Sequence, residues 1–192
     1  LSMASATVFR KDYIPPTHWV DSVYLEFDLH PQQTHVHSTL MIRPNEDRIN
    51  NELVLNGRDL DLIRIAIDGR ELDRSEYTIL PSGDIVLRGI TENIKLEIEN
   101  VINPQANSSL MGLYLSNGNF MTQCEAEGFR RITYYPDRPD VSAKFTVRIN
   151  APKSVCPVLL SNGNLIEEGE LDGNWHYTCW EDPFPKPSYL FA

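Results

Sequence analysis

Hydrophobic and polar residues alternate with a period of two along much of this chain. The pattern is clear at Val23–Leu29, at Ile94–Ile98 and at Phe145–Ile149. Because successive side chains of a strand point to opposite faces, each of these segments is predicted to be a half-buried antiparallel strand. Apolar residues at the helical spacing of i, i+3 and i+4 are hard to find. The sequence therefore predicts an all-β fold.

Turn residues separate the predicted strands. Tight hairpin turns require residues that readily adopt the left-handed backbone conformation. Such residues occur at Asn56-Gly57, Asp68-Gly69, Ser82-Gly83-Asp84 and Asn162-Gly163, which we predict to be hairpin turns. The alternation slips by one residue between Leu62 and Ile63, which predicts a β-bulge. Residues 103–120 have no clear periodicity and are rich in Asn, Ser and Gly. We expect a loop there that leads into a binding strand.

Composition limits the number of domains and the class of partner. The chain has 192 residues, of which 41% are hydrophobic and 23% charged, and neither a repeat nor a linker divides it. We therefore expect one all-β domain over residues 1–192. The net charge of -10 argues against nucleic acid as a partner, since a phosphate-binding surface needs clustered Lys and Arg.

The cysteines and the start of the chain bear on cellular location. Cys124, Cys156 and Cys179 are odd in number and form no CxxC pair, so we expect reduced, packed thiols. The N-terminal residues lack the charged start and the apolar segment of a secretory signal peptide. No apolar run reaches the roughly 18 residues of a membrane span. We expect a cytoplasmic protein with no membrane partner. Residues 1–8 are expected to be disordered or to derive from an expression vector, because a Met stands at position 3.

A polar segment from Thr122 to Glu127 carries the main candidates for binding. On an extended backbone Gln123, Glu125 and Glu127 would line one face, with Cys124 and Ala126 on the other. Taken alone, this pattern is typical of a solvated edge strand.

The sequence motifs in this region and in several later segments resemble those of one enzyme family. The motifs are Thr122–Glu125, Arg130, Tyr135-Pro136, Asp137–Pro139, Ala143–Phe145, Leu160–Asn164 and Asp182–Pro187. They resemble, in the same order, the N-terminal domain of the zinc metallo-aminopeptidases that include bacterial aminopeptidase N and leukotriene A hydrolase. The resemblance covers residues 9–192 and is weak before about residue 53.

This resemblance implies a fold, a cofactor and a role for two residues. The fold is an antiparallel β-sandwich or a saddle-shaped arrangement of several sheets. In such enzymes Gln123 and Glu125 would hold the α-ammonium group of a peptide substrate, at a fixed distance from a catalytic zinc, so that only the first peptide bond is cut. Glu127 lies outside the motif and is predicted to be structural. The apolar end at Tyr189–Ala192 suggests a cut before a zinc-carrying catalytic domain, the expected second partner.

No catalytic residue and no metal ligand is predicted within the chain. None of the five histidines is followed by Glu, so the His-Glu-x-x-His of zincins is missing, as is Gly-x-Met-x-Asn. His35 and His37 share a strand face, but no third ligand stands nearby, and we interpret them as structural. The resemblance therefore assigns zinc to the full-length enzyme and none to this chain.

Other constellations favour structural interpretations. Tyr134, Tyr135, Trp175 and Trp180 are expected in the core, although aromatic rings can stack on a sugar or a base. A local ion-pair network is expected among Arg130, Arg131, Asp137 and Asp140. We also expect an apolar surface for the catalytic domain around Tyr134, Tyr135 and Leu190.

Two functions from different classes remain. The first is the N-terminal, substrate-anchoring domain of a zinc aminopeptidase that removes N-terminal residues from peptides. The alternative is a stand-alone β-sandwich that binds a protein or carbohydrate partner. Reading the gene past residue 192 separates them, because only the first predicts Gly-x-Met-x-Asn followed by His-Glu-x-x-His.

Overall fold

The structure, a computed structural model, describes residues 12–48 and 50–192. The prediction for residues 1–8 therefore lies outside the described residues. The strands are β1 His18–Asp28, β2 Thr34–Pro44, β3 Leu53–Leu55, β4 Asp61–Ile67, β5 Arg70–Glu71, β6 Thr78–Ile79, β7 Ile85–Leu87, β8 Ile94–Ile102, β9 Gly112–Ser116, β10 Asn119–Gln123, β11 Ser142–Pro152, β12 Asn164–Leu171, β13 Trp175–Glu181 and β14 Lys186–Pro187. Short 3-10 helices lie at Arg74–Glu76, Phe129–Arg131, Asp172–Asn174 and Ser188–Leu190. The all-β prediction is confirmed.

Within residues 12–48 and 50–192 the strands form three sheets. The large sheet has the order β12-β13-β11-β1-β2-β8-β4-β5, with β14 paired to β11. A second sheet has the order β3-β7-β6, and a third is the hairpin of β9 and β10. Among the described residues no helix is long and apolar enough to cross a membrane.

The prediction that the three alternating segments are antiparallel strands is correct for β8 and only partly correct for β1 and β11. β1 runs antiparallel to β2 but parallel to β11, with Ser22 opposite Lys144 and Asp28 opposite Asn150. Alternation shows which face of a strand is buried, but it is the same for either direction of a neighbouring strand. The sequence pattern therefore could not indicate this parallel pair.

The three sheets share one hydrophobic core. Leu25 of β1, Leu40 of β2 and Leu96 of β8 are fully buried in it, the second sheet contributes Leu55 and Ile85, and the hairpin contributes Leu113. A cluster of aromatic rings packs edge to face in the same core, and its members are Phe129, Tyr135, Phe145 and Phe191. The Phe129 ring centre lies 5.0 Å from that of Tyr135 and 5.4 Å from that of Phe191. This packing fixes the segment after residue 128 against the large sheet.

Two of the four predicted turns are hairpin turns. Asp68 and Gly69 join β4 to β5 with φ of 50° and 84°, and Gly83 has φ of 98° between β6 and β7. Asn56-Gly57 is not a hairpin turn, because Asn56 forms an isolated antiparallel bridge with Tyr135. Asn162-Gly163 does not join paired strands either, since it precedes β12, whose partner is β13.

The prediction of a loop at residues 103–120 is partly wrong. This segment contains β9, the Asn117-Gly118 turn with φ of 50° and 78°, and the first two residues of β10. The bulge is confirmed, because the pairing of β4 with β8 shifts between Leu62 and Arg64. The three cysteines are free and buried, as predicted.

The aromatic predictions are confirmed for the two tyrosines. Tyr134 and Tyr135 are buried, whereas Trp175 and Trp180 are only half-buried. The prediction of an exposed apolar surface around Tyr134, Tyr135 and Leu190 is therefore wrong for the two tyrosines, because both rings are packed in the core. Leu190 is 51% exposed.

Candidate functional site

The candidate site begins at the end of the hairpin of β9 and β10. Gln123 is the last residue of β10 and pairs with Gly112 of β9. Its side chain is exposed, as are those of Asn119 and Met121, whereas the intervening Phe120 and Thr122 are half-buried. The alternation of the strand therefore places Gln123 on the open face of the hairpin.

The extended backbone predicted through Glu127 ends at Gln123, so that prediction is wrong from Cys124 onward. Residues 125–128 form a turn, and the Gly128 N–H donates a hydrogen bond of 2.9 Å to the Cys124 carbonyl oxygen. Cys124 is 1% exposed, whereas Glu125 and Ala126 are both exposed. The two faces predicted for this segment therefore do not exist. Burial of the thiol raises the pKa of Cys124 to about 12.

Gln123 and Glu125 are held together by a hydrogen bond. The Glu125 backbone N–H donates to the Gln123 side-chain oxygen over 2.9 Å. The Glu125 carboxylate forms no ion pair within the part of the chain that the structure describes. Two exposed residues, one with an amide oxygen and one with a carboxylate that has no ion-pair partner in the described residues, are thus joined through the backbone of Glu125. This pair of acceptors suits a cation with several N–H donors, such as an ammonium group.

Glu127 differs from Glu125. Its carboxylate lies 3.6 Å from the guanidinium of Arg130, three residues further along the chain, and its side chain is 68% exposed. Glu127 therefore already has a cationic partner in this chain. This contact agrees with its prediction as a structural residue.

Asp137 anchors the segment that follows the turn. Its side chain is 1% exposed, and its Oδ2 accepts from the Arg130 backbone N–H at 3.2 Å and from the Arg130 Nε at 3.0 Å. Its Oδ1 accepts a short hydrogen bond from the Ser188 hydroxyl. The backbone N–H of Asp137 donates to the Asn56 side-chain oxygen at 3.1 Å. The buried charge is therefore satisfied from several directions.

The predicted ion-pair network divides into separate pairs. Arg130 pairs with Asp137, as expected, but Arg131 pairs with Asp59 at 2.9 Å. Asp140 pairs with the nearby Arg138 at 2.8 Å. The partner of Arg131 could not be predicted, because Asp59 lies 72 positions earlier in the chain.

Asn100 fixes the end of the 3-10 helix to the large sheet. This fully buried residue of β8 donates from its side-chain nitrogen to the Ile132 carbonyl oxygen at 2.9 Å. Its side-chain oxygen accepts from the Thr133 hydroxyl at 2.8 Å. Together with the Asp137 contacts, these bonds give the turn that carries Glu125 a rigid support.

The described residues do not provide a metal site. No group of three or more His, Cys, Asp or Glu side chains in residues 12–48 and 50–192 is placed to hold a metal ion. His37 lies between Glu97 and Glu99, at 3.6 Å from each, while His35 is exposed. Arg64 also contacts both glutamates, so His37 lies in a network of polar side chains on the sheet surface.

Two glycines at the site were missed by the sequence reasoning. Gly112 faces Gln123 across the hairpin, and Gly128 ends the turn that contains Glu125. The signal that could have identified Gly128 is its position directly after the polar segment, where the close return of the chain requires a residue without a side chain.

Comparison with known proteins identifies the family. The model of the Peptidase M1 N-terminal domain matches residues 16–190. Aminopeptidase N of Caulobacter vibrioides is 49% identical over 94% of this chain and 21% of its own length. Aminopeptidase N of Escherichia coli is 44% identical over 96% of this chain and 21% of its own length.

Solved structures agree with this result. Legionella pneumophila aminopeptidase A, in a crystal structure with aspartic acid, superposes with a TM-score of 0.88 at 35% identity, over 94% of this chain and 21% of that one. An M1 zinc metallopeptidase from Deinococcus radiodurans shares the fold, with a TM-score of 0.76 at 17% identity, over 91% of this chain and 41% of that one. The chain spans about a fifth of the length of the aminopeptidase N relatives. It belongs to the family of the Peptidase M1 N-terminal domain.

Proposed function

We propose that this chain is the N-terminal, substrate-anchoring domain of a zinc aminopeptidase that removes N-terminal residues from peptides. The observation that carries the proposal is the hydrogen-bonded pair of Gln123 and Glu125 at the open end of the hairpin. Membership of the family, and relatives named aminopeptidase N, favour this function over a stand-alone binding module.

The physical role of the pair follows from the chemistry of a peptide N-terminus. A free α-ammonium group costs several kcal/mol to remove from water unless other groups replace its hydration. Glu125 supplies the opposite charge, and Gln123 supplies a neutral acceptor that the Glu125 N–H already orients. A substrate whose amine is blocked would lack both the positive charge and the three N–H donors from which these oxygens could accept hydrogen bonds.

The bond-cleaving step is assigned to the part of the protein that this chain does not cover. The motifs of this chain resemble those of zinc metallo-aminopeptidases, and the chain belongs to the family of the Peptidase M1 N-terminal domain, so we extend zinc to the full-length protein. Within the described residues no side-chain group suits the metal. This chain would therefore bind and orient the substrate without catalysing the reaction. A cytoplasmic location is part of the same proposal.

The proposal is tested by comparing the full-length protein with residues 1–192 alone. We expect the full-length protein to bind zinc and to release the reporter group of an aminoacyl substrate. The isolated chain should fold as one all-β domain, bind no zinc tightly and cleave nothing. Stoichiometric zinc in the purified chain, or turnover that follows it through purification, would contradict the assignment.

A further inference from the structure

The turn between Cys124 and Gly128 packs directly against the last residue pair of the hairpin. A Cβ atom added at Gly128 would lie 2.3 Å from the Gln123 carbonyl oxygen and 2.7 Å from the Cys124 Cα. Both neighbours are backbone atoms, so neither can turn away as a flexible side chain could. Any other residue at position 128 must therefore displace the turn from Gln123.

Gly128 is needed for this close approach and not for the shape of the turn. Its φ of -79° and ψ of -25° are allowed for every residue. On the other side of the contact, a Cβ at Gly112 would lie 2.8 Å from the Arg131 Cβ and 3.2 Å from the Gly128 carbonyl oxygen. Gly112 also has a φ of 76°. Two glycines thus allow the turn to lie against the end of the hairpin.

We propose that Gly128 is a positioning residue for the ammonium site. By allowing the turn to contact Gln123, it keeps the Glu125 backbone N–H within hydrogen-bond distance of the Gln123 side-chain oxygen and so sets where Glu125 lies relative to Gln123. The inference rests on the proposed function, because it assumes that these two groups bind one ammonium.

The expected size of the effect follows from the geometry. To reach even 3.0 Å from the Gln123 carbonyl oxygen, an alanine Cβ at position 128 must move by about 0.7 Å. A misplacement of about 1 Å in a binding group can cost about 100-fold in rate. Because an ammonium is held in both the bound substrate and the transition state, the loss should appear mainly as a higher KM.

The experiment compares Gly128→Ala with Gly169→Ala in the full-length protein. A Cβ at Gly169 in β12 would also meet an atom closer than 3.0 Å, namely Cε1 of Tyr177 at 2.9 Å in the neighbouring strand β13. We expect Gly128→Ala to lower kcat/KM for a free-amine reporter substrate by about tenfold to 100-fold. The low rate on the same substrate with an acetylated amine should change less than about twofold. Equal losses on both substrates, or the same selective loss in Gly169→Ala, would overturn the inference.

A second pair of variants decides the question if Gly128→Ala does not fold. Cys124→Ala loosens the other end of the turn without a steric clash, and Cys179→Ala removes a buried thiol from β13 as the control. We expect Cys124→Ala to reduce the ratio of free-amine to blocked activity by roughly threefold or more, since it shifts the turn less. A ratio equal to that of Cys179→Ala would overturn the inference.

Failure of this inference differs from failure of the proposed function. If Glu125→Ala leaves the preference for a free amine unchanged, the ammonium site itself is wrong. If Glu125→Ala removes the preference and neither Gly128→Ala nor Cys124→Ala weakens it, only the positioning role is wrong.

Discussion

The Gln123 side-chain oxygen accepts a hydrogen bond of 2.9 Å from the Glu125 backbone N–H. This bond links the end of strand β10 to the turn that carries Glu125. The two residues therefore form one unit, and the position of the amide oxygen depends on the conformation of the turn. Gln123 still has a second lone pair on that oxygen for a ligand.

Replacement of Gln123 should weaken substrate binding by less than replacement of Glu125. A neutral hydrogen bond contributes about 0.5 to 1.5 kcal/mol, so Gln123→Ala should lower kcat/KM of the full-length protein by about two- to 13-fold. Asn119→Ala is the matched control, because Asn119 is exposed on the same face of β10. Kinetics on a free-amine substrate measure both. A loss in Gln123→Ala no larger than that in Asn119→Ala would remove Gln123 from the site.

Asp137 should be essential for the stability of the domain. Asp137→Ala leaves the Arg130 guanidinium without its buried partner, and loss of one member of a buried pair costs about 3 to 5 kcal/mol. Asp59→Ala also breaks an arginine pair, but Asp59 is 79% exposed, and surface pairs contribute about 1 kcal/mol or less. Urea unfolding of residues 1–192 followed by circular dichroism compares the two. Equal losses would show that burial of Asp137 has no energetic role.

The three thiols should react slowly in the folded domain. Burial raises the pKa of Cys124 to about 12, and burial also raises the pKa values of Cys156 and Cys179. The thiolate is the reactive form, so little of it is present at pH 8. Mass spectrometry after brief treatment with iodoacetamide should find the native chain largely unmodified and the urea-unfolded chain modified three times. Rapid native labelling of Cys124 would show that the turn opens readily.

His18 should make stability depend on pH. Burial lowers the pKa of His18 below its usual value of 6.5, while its Nε2 lies 2.8 Å from the Ile90 carbonyl oxygen. The unfolded chain therefore binds the proton more tightly, and this contribution to stability is complete above about pH 6.5 and is lost as the pH falls through the folded-state pKa. His18→Gln should be less stable than the parent at pH 7, and the difference should shrink at pH 5. A difference in unfolding free energy that does not change with pH would contradict this account.

Period-two alternation predicts strands β1, β8 and β11 and the bulge near Ile63, because burial of one face controls side-chain polarity directly. It could not predict that β1 and β11 are parallel, since both directions bury the same face. Strand β9 was missed within residues 103–120, although Asn117-Gly118 is itself a hairpin signal.

The sequence indicates Gln123 and Glu125 as candidate site residues through a resemblance in motif, but it does not indicate their geometry. The same segment is predicted as an extended strand where the structure has a turn. The chain turns at Cys124 because burial of that thiol and the close packing of Gly128 outweigh the local polar alternation. Such a tertiary contact leaves no periodic signal in the sequence.

The most direct test of the proposed ammonium site is Glu125→Ala in the full-length protein, assayed on a free-amine substrate and on its acetylated counterpart. Truncation of one partner of a desolvated charge pair costs about 2 to 5 kcal/mol, so kcat/KM for the free amine should fall by roughly 30-fold to several thousand-fold. Zinc content and Tm should stay near those of the parent, and the low rate on the acetylated substrate should barely change. If Glu125→Ala slows both substrates by the same factor, Glu125 is not the partner of the ammonium group.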